Sequence, residues 1–188
     1  MQLYALGEIT YDIIFKDGKP IDSKVGGSVL NTAVSSARLG MPVTMVATCA
    51  TDEIGLITQK YLTTNGINTK SITVYKGTSR IALAFLDEQN NAKYSFYNGL
   101  NYEELKLSFP TSTENGFVLF GSSFGINPQI RTDLVKYLKR AKESGNLIYY
   151  DPNFRPSQLI GNDSAKEWII ENIRMADIVK GSNEVLPS

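Results

Sequence analysis

Asn127-Pro-Gln-Ile130-Arg-Thr-Asp-Leu134-Val-Lys-Tyr137-Leu138-Lys-Arg-Ala141-Lys-Glu-Ser-Gly145-Asn-Leu147-Ile-Tyr-Tyr150-Asp151 is the stretch that decides the fold class. Ile130, Leu134, Tyr137, Leu138 and Ala141 recur at helical spacing and form one apolar face. Asn127 reads as a cap and Pro128 as the first helical residue, which predicts a helix from Pro128 to about Ser144. Lys139, Arg140 and Lys142 crowd its last turn, where the helix dipole favours cations, and Gly145 ends it. Leu147–Tyr150 is then a short apolar run, the mark of a buried strand, closing at Asp151. Helix followed at once by buried strand is the repeating unit of a parallel sheet.

The same rhythm extends in both directions. Upstream, Leu3–Leu6 reads as a strand ending at Gly7. Leu30, Ala33, Val34 and Ala37 predict a helix with Ser28 as its cap and Gly40-Met41-Pro42 as its stop. Val43–Thr48 follows as a strand, then a helix near Glu53–Thr63 capped by Asp52, then Phe117–Phe120 as another strand. Downstream, Ser164 and Glu167 read as a capping box, and Asp177–Val179 as a last strand. Two stretches depart from this pattern. Asp17-Gly18 and Asn90-Asn91 each sit between alternating pieces, predicting hairpins within Asp12–Lys24 and Ser71–Tyr97. The expectation is an α/β body with a mostly parallel sheet and a small β element built from two insertions.

Composition narrows the chemistry. The 188 residues hold 19 basic and 19 acidic side chains, no histidine and one cysteine, Cys49. Zero net charge gives no reason to expect nucleic acid or an anionic membrane as partner. Without histidine the chain supplies no Ser–His or Cys–His pair and no His-ligated zinc site. The lone cysteine excludes an internal disulfide, reads as a buried small residue and points to a reducing compartment. No basic leader is visible, and no apolar run approaches the ~20 residues of a membrane span. The expectation is a cytoplasmic protein working through carboxylates, amides, cations and backbone, or a hard metal.

In open parallel sheets ligands bind outside the carboxyl ends of the strands. Four polar clusters fall at such ends: Gly7-Glu8 running to Asp12, Gly26-Gly27-Ser28-Val29-Leu30-Asn31, Gly121-Ser122-Ser123, and Asp151-Pro-Asn153-Phe-Arg155-Pro156. Gly26-Gly27 is either a turn before a capped helix or a place where backbone amides approach a ligand. Asn31 would turn its amide toward that opening. Asp12 is either a turn aspartate or an acceptor for adjacent hydroxyls of a polyol. Asp151, Asn153 and Arg155 alternate along an extended piece stiffened by proline, so their side chains share one direction, which suits a site better than a surface loop. Arg80 either reaches a site from the β insertion or protects a sheet edge. The Tyr94/Phe96 alternation reads as lid packing or a subunit contact rather than base stacking. No dinucleotide fingerprint and no Walker A sequence occur.

Gly26-Gly27-Ser-Val-Leu-Asn31-Thr-Ala33, Ala37-Arg-Leu-Gly40 and Asp52-Glu-Ile-Gly55 together resemble the N-terminal signature of the PfkB (ribokinase-like) carbohydrate kinases. Asp151-Pro-Asn-Phe-Arg155-Pro resembles a segment of its fructokinase and 2-keto-3-deoxygluconate kinase branch, and Ala176–Glu184 the strand and loop that follow. The resemblance implies a three-layer α/β/α sandwich with a β lid. It also implies transfer of the ATP γ-phosphoryl group to a sugar hydroxyl, with Mg²⁺ as cofactor. It places Asp12, Gly26, Gly27, Asn31, Arg80 and Arg155 around the sugar. Asp151, Asn153, Lys180, Asn183 and Glu184 fall on the phosphate and Mg²⁺ side, none a direct metal ligand. A homodimer through the lid follows from the same resemblance.

The chain also departs from the pattern. Val29 stands where the signature prefers a small residue or proline, and Ala50 where it ends in glycine. No acidic residue follows at Val185, and no Gly-Ala-Gly-Asp segment, with its anion hole and general base, occurs. The resemblance therefore assigns no catalytic residue within the chain, and the aspartate base of the family is expected beyond Ser188. Residues 1–188 read as the N-terminal part of a single ribokinase-like domain, with lid insertions near 12–24 and 71–97 and the C-terminal part of the fold missing. Sugar recognition without phosphoryl transfer is the expected behaviour of this chain alone. A sugar-binding module and a nucleoside kinase of the same family are the alternatives.

Overall fold

Why the strands of this chain divide into two populations is visible in their side-chain patterns. The computed structural model describes residues 1–98, 106–111, 115–153 and 163–181. β1 (Leu3–Leu6), β4 (Val43–Ala50), β9 (Phe117–Gly121) and β10 (Leu147–Asp151) are apolar on both faces. Strands of that kind must be covered on both sides, and here they lie inside a parallel sheet. Its order is β11-β10-β9-β1-β4-β5, with β5 (Ile67–Asn68) and β6 (Ile72–Tyr75) both on β4 and β11 (Ile178–Val179) at the far edge. Every pairing in it is parallel.

Alternation along each strand feeds two cores. Tyr4, Leu6, Val118, Phe120, Ile148 and Tyr150 pack against Ile130, Leu134, Tyr137, Leu138 and Ala141, from and just before α3 (Arg131–Glu143). Leu3, Ala5, Val43, Met45 and Leu119 pack on the other side against Val29, Leu30, Ala33 and Val34 of α1 (Ser28–Arg38) and Leu62 of α2 (Glu53–Thr64). α4 (Ala165–Met175) joins the first of these layers, through Met175 and Ala176. The result is the three-layer ribokinase-like architecture read from the sequence.

β2 (Thr10–Lys16), β3 (Lys19–Gly26), β7 (Ile81–Leu86) and β8 (Ala92–Tyr97) form a separate four-stranded sheet, order β3-β2-β7-β8. Both hairpins lie where the sequence places them. Asp17 and Gly18 hold φ +51° and +72°, and Asn90 holds φ +62°. The paired positive angles at Asp17 and Gly18 twist that tight turn to match its strands. The first hairpin is joined to the second by parallel pairing of β2 with β7.

Helix starts are where the sequence reading shifts most. α3 begins at Arg131, not Pro128: Asn127 Oδ1 accepts from Gln129 N at 3.0 Å, an Asx turn that competes with the first helical turn. Ser28 is the first residue of α1, whose N-cap is Gly27 with no side-chain cap bond, and Ser164 makes none for α4. Asp52 caps α2 as expected, accepting from Gly55 N at 2.8 Å. Cys49 is buried, its Sγ donating to Gly55 O at 3.3 Å.

A buried polar network braces the segment after β9. Arg131 Nη1 donates to Gly125 O at 3.1 Å and to Asn172 Oδ1 at 2.6 Å, while its Nη2 meets Glu171 at 2.6 Å. Asn172 Nδ2 donates to the same Gly125 carbonyl at 2.9 Å. Helices α3 and α4 are thereby tied to the turn Ser122–Ile126. That turn carries two of the polar residues singled out in the sequence.

Candidate functional site

Strand order in the sheet reverses between β1 and β9. From β1 the chain runs outward through β4 to β5 and β6; from β9 it runs the opposite way through β10 to β11. Adjacent loops diverge at such a switch point and leave a crevice at the carboxyl ends of the strands. Here the crevice is a cleft of about 650 Å³, with the four-stranded sheet forming its other wall. Members of all four polar clusters line it: Glu8 and Asp12, Gly27 to Val29 with Asn31, Ser122 and Ser123, and Asn153.

Asp12 sits on β2, and its carboxylate lies directly over Gly26, where a Cβ would come within 2.3 Å of Oδ2. Gly26 thus makes room for the carboxylate without lining the cleft itself. Thr10 Oγ1 donates to Asp12 Oδ1 at 2.6 Å and sets its orientation. Burial pushes the Asp12 carboxyl above its ordinary value, against the pull of the Thr10 bond and the Lys24 charge. Asp12 is therefore a partly desolvated acceptor, a state that favours hydrogen bonds from hydroxyl donors.

Gly27 holds φ +131°, and a Cβ there would come within 2.4 Å of the Glu8 carbonyl. Only glycine lets the chain turn so tightly from β3 into α1 beside β1. Asn31 lies one turn into α1, exposed at the cleft, with its backbone N–H donating to Gly27 O at 2.9 Å. Gly27 offers no side-chain cap to α1, whose first residues, Ser28 and Val29, line this opening.

Arg80 precedes β7 and lines the cleft, its guanidinium paired with the Glu8 carboxylate. The backbone just before it is fixed by Asp52, which accepts from Ser79 N at 2.7 Å and from Ser79 Oγ at 2.6 Å. Burial would raise the Asp52 carboxyl, but these bonds and the one from Gly55 outweigh it and hold it below its ordinary value. One aspartate thus caps α2 and anchors the lid.

The Asp151 segment differs from the extended reading. Asn153 takes φ +26°, a left-handed bend that ends the extension, and of the two described residues Asp151 and Asn153 it is Asn153 that lines the cleft. Its carbonyl accepts from Ser122 Oγ at 3.3 Å. Asp151 stands at the end of β10 in register with Gly121, and burial raises its carboxyl while the charge of Lys180 pulls it down. Lys180 is exposed past β11, and its backbone N–H donates to Tyr150 O at 3.1 Å. Arg155, Asn183 and Glu184 lie outside the described residues. So does Ser188, beyond which the sequence reading places the family's aspartate base.

Thr10, Ala82, Ser95 and Asn98 line the cleft without having been singled out in the sequence, and Tyr94 and Phe96, read there as lid packing or a subunit contact, line it too. The rings of Tyr94 and Phe96 stack at 5.8 Å with 9° between planes. The period-2 pattern of β8 shows that they share a face. Which face looks onto the cleft depends on pairing with β7.

Comparison with known proteins follows the same geometry. The family model described as pfkB family carbohydrate kinase matches residues 2–185. The chain belongs to the pfkB family of carbohydrate kinases. It is 29% identical over 181 residues to an Arabidopsis thaliana protein named "Probable fructokinase-6, chloroplastic", covering 93% of this chain and 47% of that protein. It is 32% identical over 166 residues to fructokinase-2 of Solanum lycopersicum, covering 84% and 50%. Among solved structures, a sugar kinase of Pyrococcus horikoshii in complex with ATP superposes with a TM-score of 0.84 at 26% identity, covering 97% of this chain and 63% of that one. This pfkB chain spans about half the length of the curated relatives it matches.

The Mg²⁺ that the family implies finds no cluster of three acidic or cysteine ligands among the described residues. Asp151, a half-buried carboxylate with Lys180 as its opposing charge, is not a ready cation ligand. Among the described residues no helix is long and apolar enough to cross a membrane.

Proposed function

We propose that this chain is the sugar-recognising part of a fructokinase-like enzyme that transfers a phosphoryl group from ATP to a sugar hydroxyl. The observation that carries the proposal is the switch-point cleft, in which Asp12, Gly27 and Asn31 meet. A carboxylate accepts from two hydroxyls, an amide both donates and accepts, and bare backbone admits a ring without steric conflict. Asp12 and Asn31 hold the sugar hydroxyls in this reading. Gly26 makes room for the Asp12 carboxylate, Gly27 lines the sugar's side of the cleft, and Arg80 and Arg155 face the far end. Asp151, Asn153, Lys180, Asn183 and Glu184 belong to the phosphate side. Residues 1–188 form the N-terminal part of one domain, with the lid contributed by the two insertions.

The chain alone binds sugar without transferring phosphate. Phosphoryl transfer is mainly positioning and charge stabilisation, and the sequence contains no Gly-Ala-Gly-Asp segment to supply an anion hole and a base. The outer face of the lid, where Phe15 and Phe85 stack at 5.1 Å, pairs two copies in a homodimer. The proposed location is the cytoplasm; one curated relative is named chloroplastic.

Calorimetric titration of the purified chain with fructose tests the reading. Saturable binding lost in Asp12→Ala is the expected result. Sugar-dependent consumption of ATP by the same material, abolished by that substitution, would overturn the claim that it does not transfer phosphate. A nucleoside kinase is the second reading, favoured by the stacked Tyr94/Phe96 wall, and tighter binding of a purine riboside than of fructose would select it.

A further inference from the structure

Three segments distant in sequence bring their polar side chains together at the floor of the cleft. Glu8 follows β1, Arg80 precedes β7, and Ser123 follows β9. The Glu8 carboxylate oxygen Oε2 accepts from both Arg80 Nη1 and Ser123 Oγ. The two charged side chains are only 13% and 14% exposed, so solvent screens the pair weakly. Asp12 is the other charged residue among the described lining residues. Among the described lining residues the cleft therefore presents two carboxylates and one cation, and that cation faces a carboxylate.

We propose that Glu8 sets the chemical class of the substrate, admitting uncharged polyol sugars and rejecting sugar acids, by neutralising Arg80. The proposal rests on the sugar-site reading above and deepens it. Unpaired, a guanidinium at this position would be a fork for a substrate carboxylate. Paired with Glu8, it presents no net charge to an anion. An incoming carboxylate would have to displace Glu8 and strand it, partly buried, beside Asp12. Leaving a desolvated charge without its partner is the most effective way to exclude a competing ligand. Ser123 holds the carboxylate on Arg80 from the opposite wall, which makes Glu8 a specificity-determining residue that also ties the lid to the body.

Competitive calorimetry with fructose and gluconate, on the purified chain, tests this. The wild type should bind gluconate at least tenfold more weakly than fructose. Glu8→Gln keeps the shape and the Ser123 contact but removes the charge, and should narrow that ratio at least tenfold. The double variant Glu8→Gln/Arg80→Gln removes both charges and should restore the discrimination, which also covers the case of a single variant that fails to fold. Fructose binding with gluconate bound equally well by the wild type, or a ratio unmoved by Glu8→Gln, overturns the proposal and leaves the sugar site standing. Binding of neither compound overturns the sugar-site reading and this proposal with it.

Discussion

The parallel sheet and the lid sheet put their apolar residues to opposite use. In the parallel sheet Ala5, Leu6, Met45, Val46, Val118, Phe120 and Ile148 are inaccessible to solvent, because helices cover both faces. In the lid only Val25, Ala82 and Ala84 are buried hydrophobics, while Ile21, Phe85, Tyr94, Phe96 and Tyr97 stay exposed. One sheet derives its stability from its own cover. The other has one face on a cleft and one face open, so its apolar residues are available to a ligand or a second copy. Substitutions should therefore act on stability in the first sheet and on recognition in the second.

The strongest challenge to that division is a large-to-small change in each region. Leu134→Ala, at a position with no solvent exposure against the parallel sheet, should cost about 2–5 kcal/mol in urea unfolding. Phe85→Ala, 41% exposed in the lid, should cost under ~1 kcal/mol. Equal losses would show the lid to be part of the core.

Asp12→Asn sharpens the comparison in the opposite direction. Losing a charged acceptor is expected to weaken sugar binding by about 1.5–3 kcal/mol, roughly tenfold to a hundredfold, in calorimetry. Stability should move the other way. The folded carboxyl titrates above its ordinary value of 3.8, so the native state holds a proton that the unfolded chain has already released. Stability from this group therefore falls as pH rises from about 3.8 through the raised value, and stays lower above it. Asp12→Asn removes that loss, and its melting temperature at neutral pH should equal or exceed that of the wild type.

Asp52→Ala probes the junction between the two regions. It deletes the α2 cap and both bonds to Ser79, so about 0.5–2 kcal/mol of stability should be lost in urea unfolding. Sugar affinity should fall severalfold as well, since Arg80 follows Ser79 directly. A loss of stability with affinity intact would show that the anchor does not reach the cleft. The smallest effect on the folded monomer is expected from Phe85→Asp. Its unfolding curve should be near that of the wild type, while the mass measured by light scattering falls from dimer to monomer. An unchanged dimer would locate the contact elsewhere.

How far the sequence could be read depended on the range of the interactions involved. Period and punctuation identified the strands, both hairpins and the apolar face of α3, because each rests on neighbours a few residues apart. The helix starts moved because local bonds decided them: the Asx turn at Asn127 displaced the start of α3, and Ser28 entered α1 instead of capping it. In the cleft, Gly27 and Asn31 were legible from their spacing. The pairing of Glu8 with Arg80 and Ser123 was not, since nothing local links residues so far apart.

By itself the sequence determined the class of the fold, its family and the residue types at the carboxyl ends of the strands, because apolar periodicity and glycine placement are properties of short stretches. Tertiary structure alone decided that the strand order reverses between β1 and β9, which brings Glu8 and Ser123 to one crevice. It also decided that Tyr94 and Phe96 face the cleft and that the charge of Arg80 is met by Glu8. Those outcomes depend on which strands pair and in what register, and register is settled only when the whole sheet closes over its core.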